Sequence, residues 1–275
     1  MEYQTLNNEV KIPTALESQI KKNVKNQFIK QLKQDIVQWR CRRCCCKKSN
    51  RWCSLYKRRF ITSKLWVQDM MDYESAKKGI RASLEKSGLE YLDLYLLHQA
   101  CGDYFSAWRA MEDAYKEGVL KAIGVSNFYP NILTNFCEVV KVKPVVNQVE
   151  LHPYYIQEKA LETMKYYDVI PEAWAPLGGG RYNPFEDEML KGIAAKYNKS
   201  VGQVLLRWNV QRGVVVIPKS THVERIKENI DIFDFELNEE EMKQISSLDM
   251  GYSGSRAKHF DVEFVEMCLA KKIHD

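Results

Sequence analysis

From Phe60 onward, short apolar runs alternate with longer amphipathic stretches. The apolar runs are rich in β-branched and aromatic residues, as is typical of parallel strands covered on both faces. Six strands are predicted, at residues 60–65, 92–97, 120–125, 144–149, 169–173 and 213–217. Helical periodicity predicts helices at residues 73–87, 105–117, 156–167, 184–197, 201–211 and 239–248. Capping-type helix starts are predicted at 198–203 and 220–224.

This alternation predicts an α/β protein of the (β/α)8 TIM-barrel class, with one domain over residues 1–275. Six units are two fewer than such a barrel contains, so the first two βα units are expected to be atypical or incomplete. Residues 1–13 predict a short hairpin around Asn7 and Asn8, whereas residues 14–59 contain no glycine and no convincing strand. A helix over 21–39 is compatible with that segment.

Composition indicates a cytoplasmic protein with no membrane association, because charged residues make up 28% of the chain and no apolar run approaches the length of a membrane helix. The net charge of +5 arises from basic residues crowded into 40–59. Without that segment the chain would be slightly acidic. The net charge is therefore weak evidence for a nucleic-acid partner, and we expect none. The alternative is a nucleic-acid contact in that segment, where Trp39, Trp52 and Tyr56 could stack on bases.

Five of the eight cysteines lie in the same basic segment. Cys41 and Cys44 have the spacing of half a zinc site, but no second pair and no nearby histidine completes it. We therefore expect no metal. The remaining cysteines, Cys101, Cys137 and Cys268, are scattered as ordinary cytosolic thiols are.

Polar residues close the predicted strands, at the end of a barrel where active sites are built. Two strings are distinctive: residues 123–128, Ile-Gly-Val-Ser-Asn-Phe, and residues 217–220, Ile-Pro-Lys-Ser, followed by Arg225 and Asn229. With them in this order, residues 60–261 resemble the aldo-keto reductase family, in particular its short-loop prostaglandin F synthase and 2,5-diketo-gluconate reductase type. The resemblance implies NADPH-dependent reduction of aldehydes and ketones to alcohols by hydride transfer, in a protein expected to be a monomer.

In that family a tyrosine protonates the carbonyl oxygen, a lysine lowers the pKa of the tyrosine, an aspartate holds the lysine and a histidine orients the substrate. Lys64 matches the lysine and His98 the histidine. The other matching residues bind cofactor: Ser126, Asn127 and Gln148 at the carboxamide, Trp174 stacked on the nicotinamide, Lys219, Ser220 and Arg225 toward the 2′-phosphate, and Glu228 and Asn229 at the adenine. Two cations at the phosphate favour NADPH over NADH. Trp66 and Gln99 are expected to line the substrate pocket.

Each candidate site residue could also have a purely structural role. Lys64 could be a solvated charge at a strand end, and His98 a satisfied core histidine. Trp174 could pack the barrel rim, and Lys219 with Arg225 could be an exposed helix start. The joint order of the motifs, rather than any one residue, favours the catalytic interpretation.

The family's tyrosine and aspartate motif should fall between Gln31 and Arg40, and it is absent there. Residues 38–59 are dense in Cys, Arg and Trp and contain no Ala, Gly or Val, a composition that resembles translation in another reading frame. Back-translation of residues 37–60, read one nucleotide later, permits a segment similar to the family's. Two hypotheses follow, a reductase with impaired activity and a non-catalytic NADPH-binding barrel that acts as a sensor or subunit.

Overall fold

The computed structural model describes residues 3–5, 11–13, 60–255, 259 and 261–274. Its main feature is a six-stranded sheet in which every strand is parallel to the strand before it in sequence. The strands of this sheet are β3 (Thr62–Leu65), β4 (Leu94–Leu97), β5 (Ile123–Ser126), β6 (Val146–Glu150), β7 (Ile170–Trp174) and β8 (Val215–Val216). All six predicted strands are thereby confirmed, in the predicted order.

Helices connect consecutive strands, as parallel pairing requires. Those between strands are α1 (Tyr73–Ser87), α2 (Tyr104–Lys116), α3 (Pro130–Val139), α4 (Glu158–Tyr166), α5 (Glu188–Lys196) and α6 (Val201–Gln211). Those after β8 are α7 (Val223–Ile230), α8 (Glu239–Ser246) and α9 (Val262–Ala270). In the described part of the chain, no helix is long and apolar enough to cross a membrane.

The predicted hairpin near the start of the chain is confirmed, because β1 (Tyr3–Thr5) pairs antiparallel with β2 (Lys11–Pro13). Residues 14–59 lie outside the described residues. The helix over 21–39, the cysteine cluster, the basic segment and the atypical first two βα units therefore stay predictions.

Side-chain caps define several helix starts. Asp72 accepts from the backbone N–H of Ser75 at the start of α1, at 2.8 Å. Ser200 and Gln203 form a reciprocal capping box at α6, as predicted for 198–203. The helix start predicted at 220–224 is confirmed, because α7 begins at Val223, but the predicted side-chain cap is wrong, because the N-cap residue His222 makes no capping hydrogen bond.

The helix predicted over 184–197 is also wrong in its extent. Asp187 adopts an extended backbone, with φ −73° and ψ 120°, and accepts from the N–H of Leu190 at 3.0 Å. It therefore separates a 3-10 turn, Pro184–Glu186, from α5. Helices α3 and α9 were not among the predicted helices, and for α7 only the start was predicted.

The sheet has two different faces because side chains alternate along each strand. On β4, Tyr95 and Leu97 join the large buried cluster that the helices complete. Leu94 and Leu96 point the other way, into a smaller cluster of strand residues and partly buried Phe60. This second face, called the inner face below, carries the candidate site.

Candidate active site

The inner face changes from apolar to polar along the strands. On β6, Val146 belongs to the inner apolar cluster, and Gln148 lies two residues further along the same face. On β7, Ile170 belongs to that cluster, and Glu172 and Trp174 follow at the same spacing. The carboxyl ends of the strands therefore present polar and aromatic side chains together, where barrel enzymes bind substrates.

Lys64, Gln148 and Glu172 form a continuous polar chain across this face. The Lys64 ammonium donates to Oε1 of Gln148, and Nε2 of Gln148 donates to Oε1 of Glu172. Gln148 and Glu172 lie opposite each other in the register of β6 and β7, and both are buried. Lys64 is thus held by a defined partner, which contradicts its interpretation as a solvated charge.

Burial shifts both ionisable groups of the chain toward their neutral forms. Withdrawal from water lowers the pKa of Lys64 to about 8, against an opposing contribution from the negative charge of Glu172. Burial raises the pKa of Glu172, and the hydrogen bond from Gln148 and the charge of Lys64 oppose this shift. Lys64 can therefore exchange a proton close to neutral pH.

His98 follows β4 and lies beside Trp66, with ring centroids 5.0 Å apart and planes at 75°. Burial, followed by the positive charge of Lys64, lowers the pKa of His98 well below its usual value. The imidazole is consequently neutral at physiological pH and has one N–H to donate. Trp66 and Gln99 are buried near the same strand ends, at 8% and 7% exposure.

Ser126 and Asn127, at the end of β5, connect β5 to the ends of β4, β6 and β7. Asn127 adopts a positive φ of 62°, which asparagine tolerates better than most residues. Its side-chain amide donates to the carbonyl oxygen of His98 at 3.2 Å, and its Oδ1 accepts from Nε1 of Trp174 at 2.9 Å. Ser126 donates to the carbonyl oxygen of Gln148 at 2.9 Å. The structure thus brings together the residues predicted for the nicotinamide end.

The residues predicted for the adenosine end form a separate group around α7. Lys219 and Arg225 are exposed, whereas Ser220, Glu228 and Asn229 are half-buried. Ser220 Oγ accepts from the backbone N–H of His222 at 3.1 Å. Within the described residues, neither Lys219 nor Arg225 takes part in a salt bridge, so both cations are available to an anion.

A second buried carboxylate, Glu150, ends β6 and lies beside the site. It accepts hydrogen bonds from Arg181 and Ser253, and its Oε1 lies 3.2 Å from Nε2 of buried His152. Because Arg181 follows β7 and Ser253 follows α8, this cluster fastens two loops to the sheet.

Two site residues were missed from the sequence. Glu172 lay inside a predicted strand, and the signal was a lone carboxylate in an apolar run. His259 lies 6.3 Å from Trp174 and 4.6 Å from Phe264 between ring centroids, so the C-terminal segment reaches the site. The sequence around His259 gives no comparable indication of a site residue. Across the described residues, no cluster of His, Cys, Asp and Glu is suited to a metal.

A model of the aldo/keto reductase family matches residues 49–250. The glyoxal reductase of Bacillus subtilis (strain 168) is 48% identical over 190 residues, which cover 69% of this chain and 68% of that protein. The methylglyoxal reductase of Escherichia coli (strain K12) is 38% identical over 195 residues, 70% of each chain. A crystal structure of an aldo-keto reductase of Bombyx mori in complex with NADP has a TM-score of 0.75 and 29% identity, with 95% of each chain covered.

The chain therefore belongs to the aldo/keto reductase family. Its fold is that of the (β/α)8 barrels of this family, with six consecutive strands in the described residues. The protein is an oxidoreductase that uses NADPH to reduce carbonyl compounds. Nothing in these comparisons favours the non-catalytic alternative.

Proposed function

We propose that Lys64 and His98 act on the carbonyl oxygen of the substrate, in a pocket that Trp66 and Gln99 line. The observation that carries this proposal is the convergence of a lysine of low pKa and a neutral histidine at one end of the inner face. Both groups suit a carbonyl oxygen that gains negative charge during reduction.

When bound, NADPH supplies the hydride. His98 orients the carbonyl oxygen by donating its imidazole N–H. The charge of Lys64 favours the alkoxide that forms, and its ammonium can transfer a proton to it because the pKa of Lys64 is about 8. The family's tyrosine and aspartate correspond to residues 31–40, outside the described residues, where the sequence has no matching motif. We therefore expect turnover below the family's level, by up to the 10² to 10⁴-fold that acid catalysis contributes.

The same proposal assigns the cofactor residues. Ser126, Asn127 and Gln148 would hold the carboxamide, and Trp174, fixed by Asn127, would stack on the ring. At the other end Lys219, Ser220 and Arg225 would bind the 2′-phosphate. Glu228 and Asn229, on the last turn of α7, would contact the adenine.

For the substrate we propose small α-dicarbonyl compounds, because two relatives are named as reductases of glyoxal and methylglyoxal. We further propose that the protein is a single-domain monomer of the cytoplasm that binds no nucleic acid. Size-exclusion chromatography with light scattering tests the oligomeric state.

The first experiment follows quenching of tryptophan fluorescence by NADPH and then oxidation of NADPH with methylglyoxal. We expect Lys64→Met to abolish turnover and to retain NADPH binding, whereas Lys78→Met, which removes an exposed lysine of α1, should match the wild type. Binding without turnover in the wild type would favour the non-catalytic alternative. Equal turnover in Lys64→Met and the wild type would refute the assignment of Lys64.

A further inference from the structure

Glu172 is a buried carboxylate on the inner face of the sheet. It lies inside β7 with 1% of its surface exposed, between Pro171 and Ala173. Moving a carboxylate out of water is costly unless a charge or hydrogen bonds compensate it. The contacts of Glu172 therefore indicate what the residue is for.

Hydrogen bonds connect Glu172, through Gln148, to the ammonium group of Lys64. Oε1 of Glu172 accepts from Nε2 of Gln148, and Oε1 of Gln148 accepts from Lys64. Oε2 of Glu172 has no hydrogen-bond partner within the described residues. An amide has a donor end and an acceptor end, so only one orientation of Gln148 serves both a carboxylate and an ammonium. Gln148 thus transmits the position of Glu172 to Lys64.

The electrostatic contributions agree with this geometry. Within the described residues, Glu172 is the charged group that raises the pKa of Lys64. In the described part of the chain, the charge of Lys64 also lowers the pKa of His98, which follows the neighbouring strand β4. Among the residues that the structure describes, Glu172 is thus the carboxylate that opposes the effect of burial on Lys64.

We propose that Glu172 is a positioning residue for the reductase: acting through the amide of Gln148, it keeps Lys64 in its ammonium form and aims it at the substrate. This inference rests on the proposed role of Lys64. In this role Glu172 forms and breaks no bond in the reaction, and its hydrogen bond within the described residues is with Gln148.

The test is the titration of Lys64 in the protein without cofactor. Competitive labelling of amines with acetic anhydride, followed by peptide mass spectrometry from pH 6 to 11, gives the midpoint for each lysine. In Glu172→Gln we expect the midpoint of Lys64 to fall by about one pH unit, so that labelling near pH 7 is several-fold faster. Glu112→Gln is the matched control, because Glu112 is also buried but caps the backbone N–H of Val142 on the outer layer.

A conservative variant separates charge from packing. Glu172→Asp keeps the negative charge and should leave the Lys64 midpoint close to that of the wild type. The converse variant, Lys64→Met, should raise the pKa of Glu172, measured from the protonated-carboxyl band of the infrared spectrum in isotope-edited protein. An unchanged Lys64 midpoint in Glu172→Gln, or, if that variant does not fold, an unchanged Glu172 band in Lys64→Met, would overturn the proposal.

These outcomes are independent of turnover. A wild type that does not reduce methylglyoxal, together with a lowered Lys64 midpoint in Glu172→Gln, contradicts the proposed function and supports the positioning role. A wild type that turns over, together with an unmoved midpoint, supports the proposed function and contradicts the positioning role.

Discussion

Nε1 of Trp66 donates a hydrogen bond to the carbonyl oxygen of Lys271, at 2.9 Å, across 205 positions of sequence. Gln68 makes two similar hydrogen bonds, each at 2.9 Å. Its Nε2 donates to the carbonyl oxygen of His274, and its Oε1 accepts from the backbone N–H of Ile273. The last residues of the chain therefore lie against the segment that follows β3. This contact places the C-terminal residues beside the proposed substrate pocket.

A variant ending at Ala270 should bind carbonyl substrates less tightly. It loses the acceptor for Trp66 and both partners of Gln68, and each such hydrogen bond contributes about 1 kcal/mol. We expect KM for methylglyoxal to rise about tenfold, with NADPH binding unchanged. Steady-state kinetics with methylglyoxal and fluorescence titration with NADPH measure the two quantities.

Trp66→Phe serves as the companion variant, because it removes one of these bonds and leaves the tail intact. Its KM should rise by a smaller factor. If the truncated protein kept the wild-type KM, the C-terminal residues would have no part in the pocket.

The pH dependence of kcat should follow the protonation of Lys64. The active form is the ammonium, so kcat should fall as the pH rises through about 8, where Lys64 loses its proton. No matching loss is expected between pH 8 and 6.5, because the depressed pKa of His98 keeps that imidazole neutral. Stopped-flow measurement of kcat at saturating NADPH gives the profile.

Lys64→Arg provides the control for this profile. A guanidinium stays protonated throughout the accessible range, so the loss near pH 8 should disappear while the overall rate drops. A profile of Lys64→Arg that still declined near pH 8 would assign the titration to another group.

The strands and the site were predictable to different degrees. Parallel strands buried on both faces give apolar runs that are visible without structural knowledge, and all six were found. Lys64, His98 and Gln148 came from the family motifs, since none of them is distinctive alone. Their mutual contacts could not be predicted, because they depend on the register of β6 and β7.

Helix α9 shows why other parts were missed. It buries Phe264 and Cys268 but exposes Val262, Met267 and Leu269, so its apolar residues lie all round and give no helical period. Glu172 was missed for a different reason. Its strand was predicted correctly, but the partners of a lone carboxylate in an apolar run lie on other strands and cannot be identified from the sequence.

Gly124 on β5 should be intolerant of a side chain. A Cβ there would lie 2.7 Å from the carbonyl oxygen of Val146 and 2.7 Å from Cδ2 of Leu96, and the backbone of β6 cannot move aside. We expect Gly124→Ala to lower the free energy of unfolding by about 2 kcal/mol. Urea denaturation followed by circular dichroism measures the change.

Gly192 is the matched control, because a Cβ at this exposed position of α5 meets nothing within 4 Å. Gly192→Ala should raise the free energy of unfolding by about 0.5 to 1 kcal/mol, since alanine favours the helix. If both alanine variants shifted the unfolding midpoint in the same direction, close packing at Gly124 would not be the cause.

Lys219 and Arg225 should determine the preference for NADPH over NADH. A charge-assisted hydrogen bond contributes about 1.5 to 3 kcal/mol, and 1.4 kcal/mol is a factor of ten in affinity. Lys219→Ala and Arg225→Ala should therefore each raise Kd for NADPH at least tenfold and leave Kd for NADH, which has no 2′-phosphate, nearly unchanged. Lys227→Ala is the control on the same helix, because Lys227 is already paired with Glu224 at 3.4 Å. Isothermal titration calorimetry with NADPH and with NADH measures both Kd values. An equal loss of affinity for the two nucleotides would show that Lys219 and Arg225 stabilise α7 rather than bind phosphate.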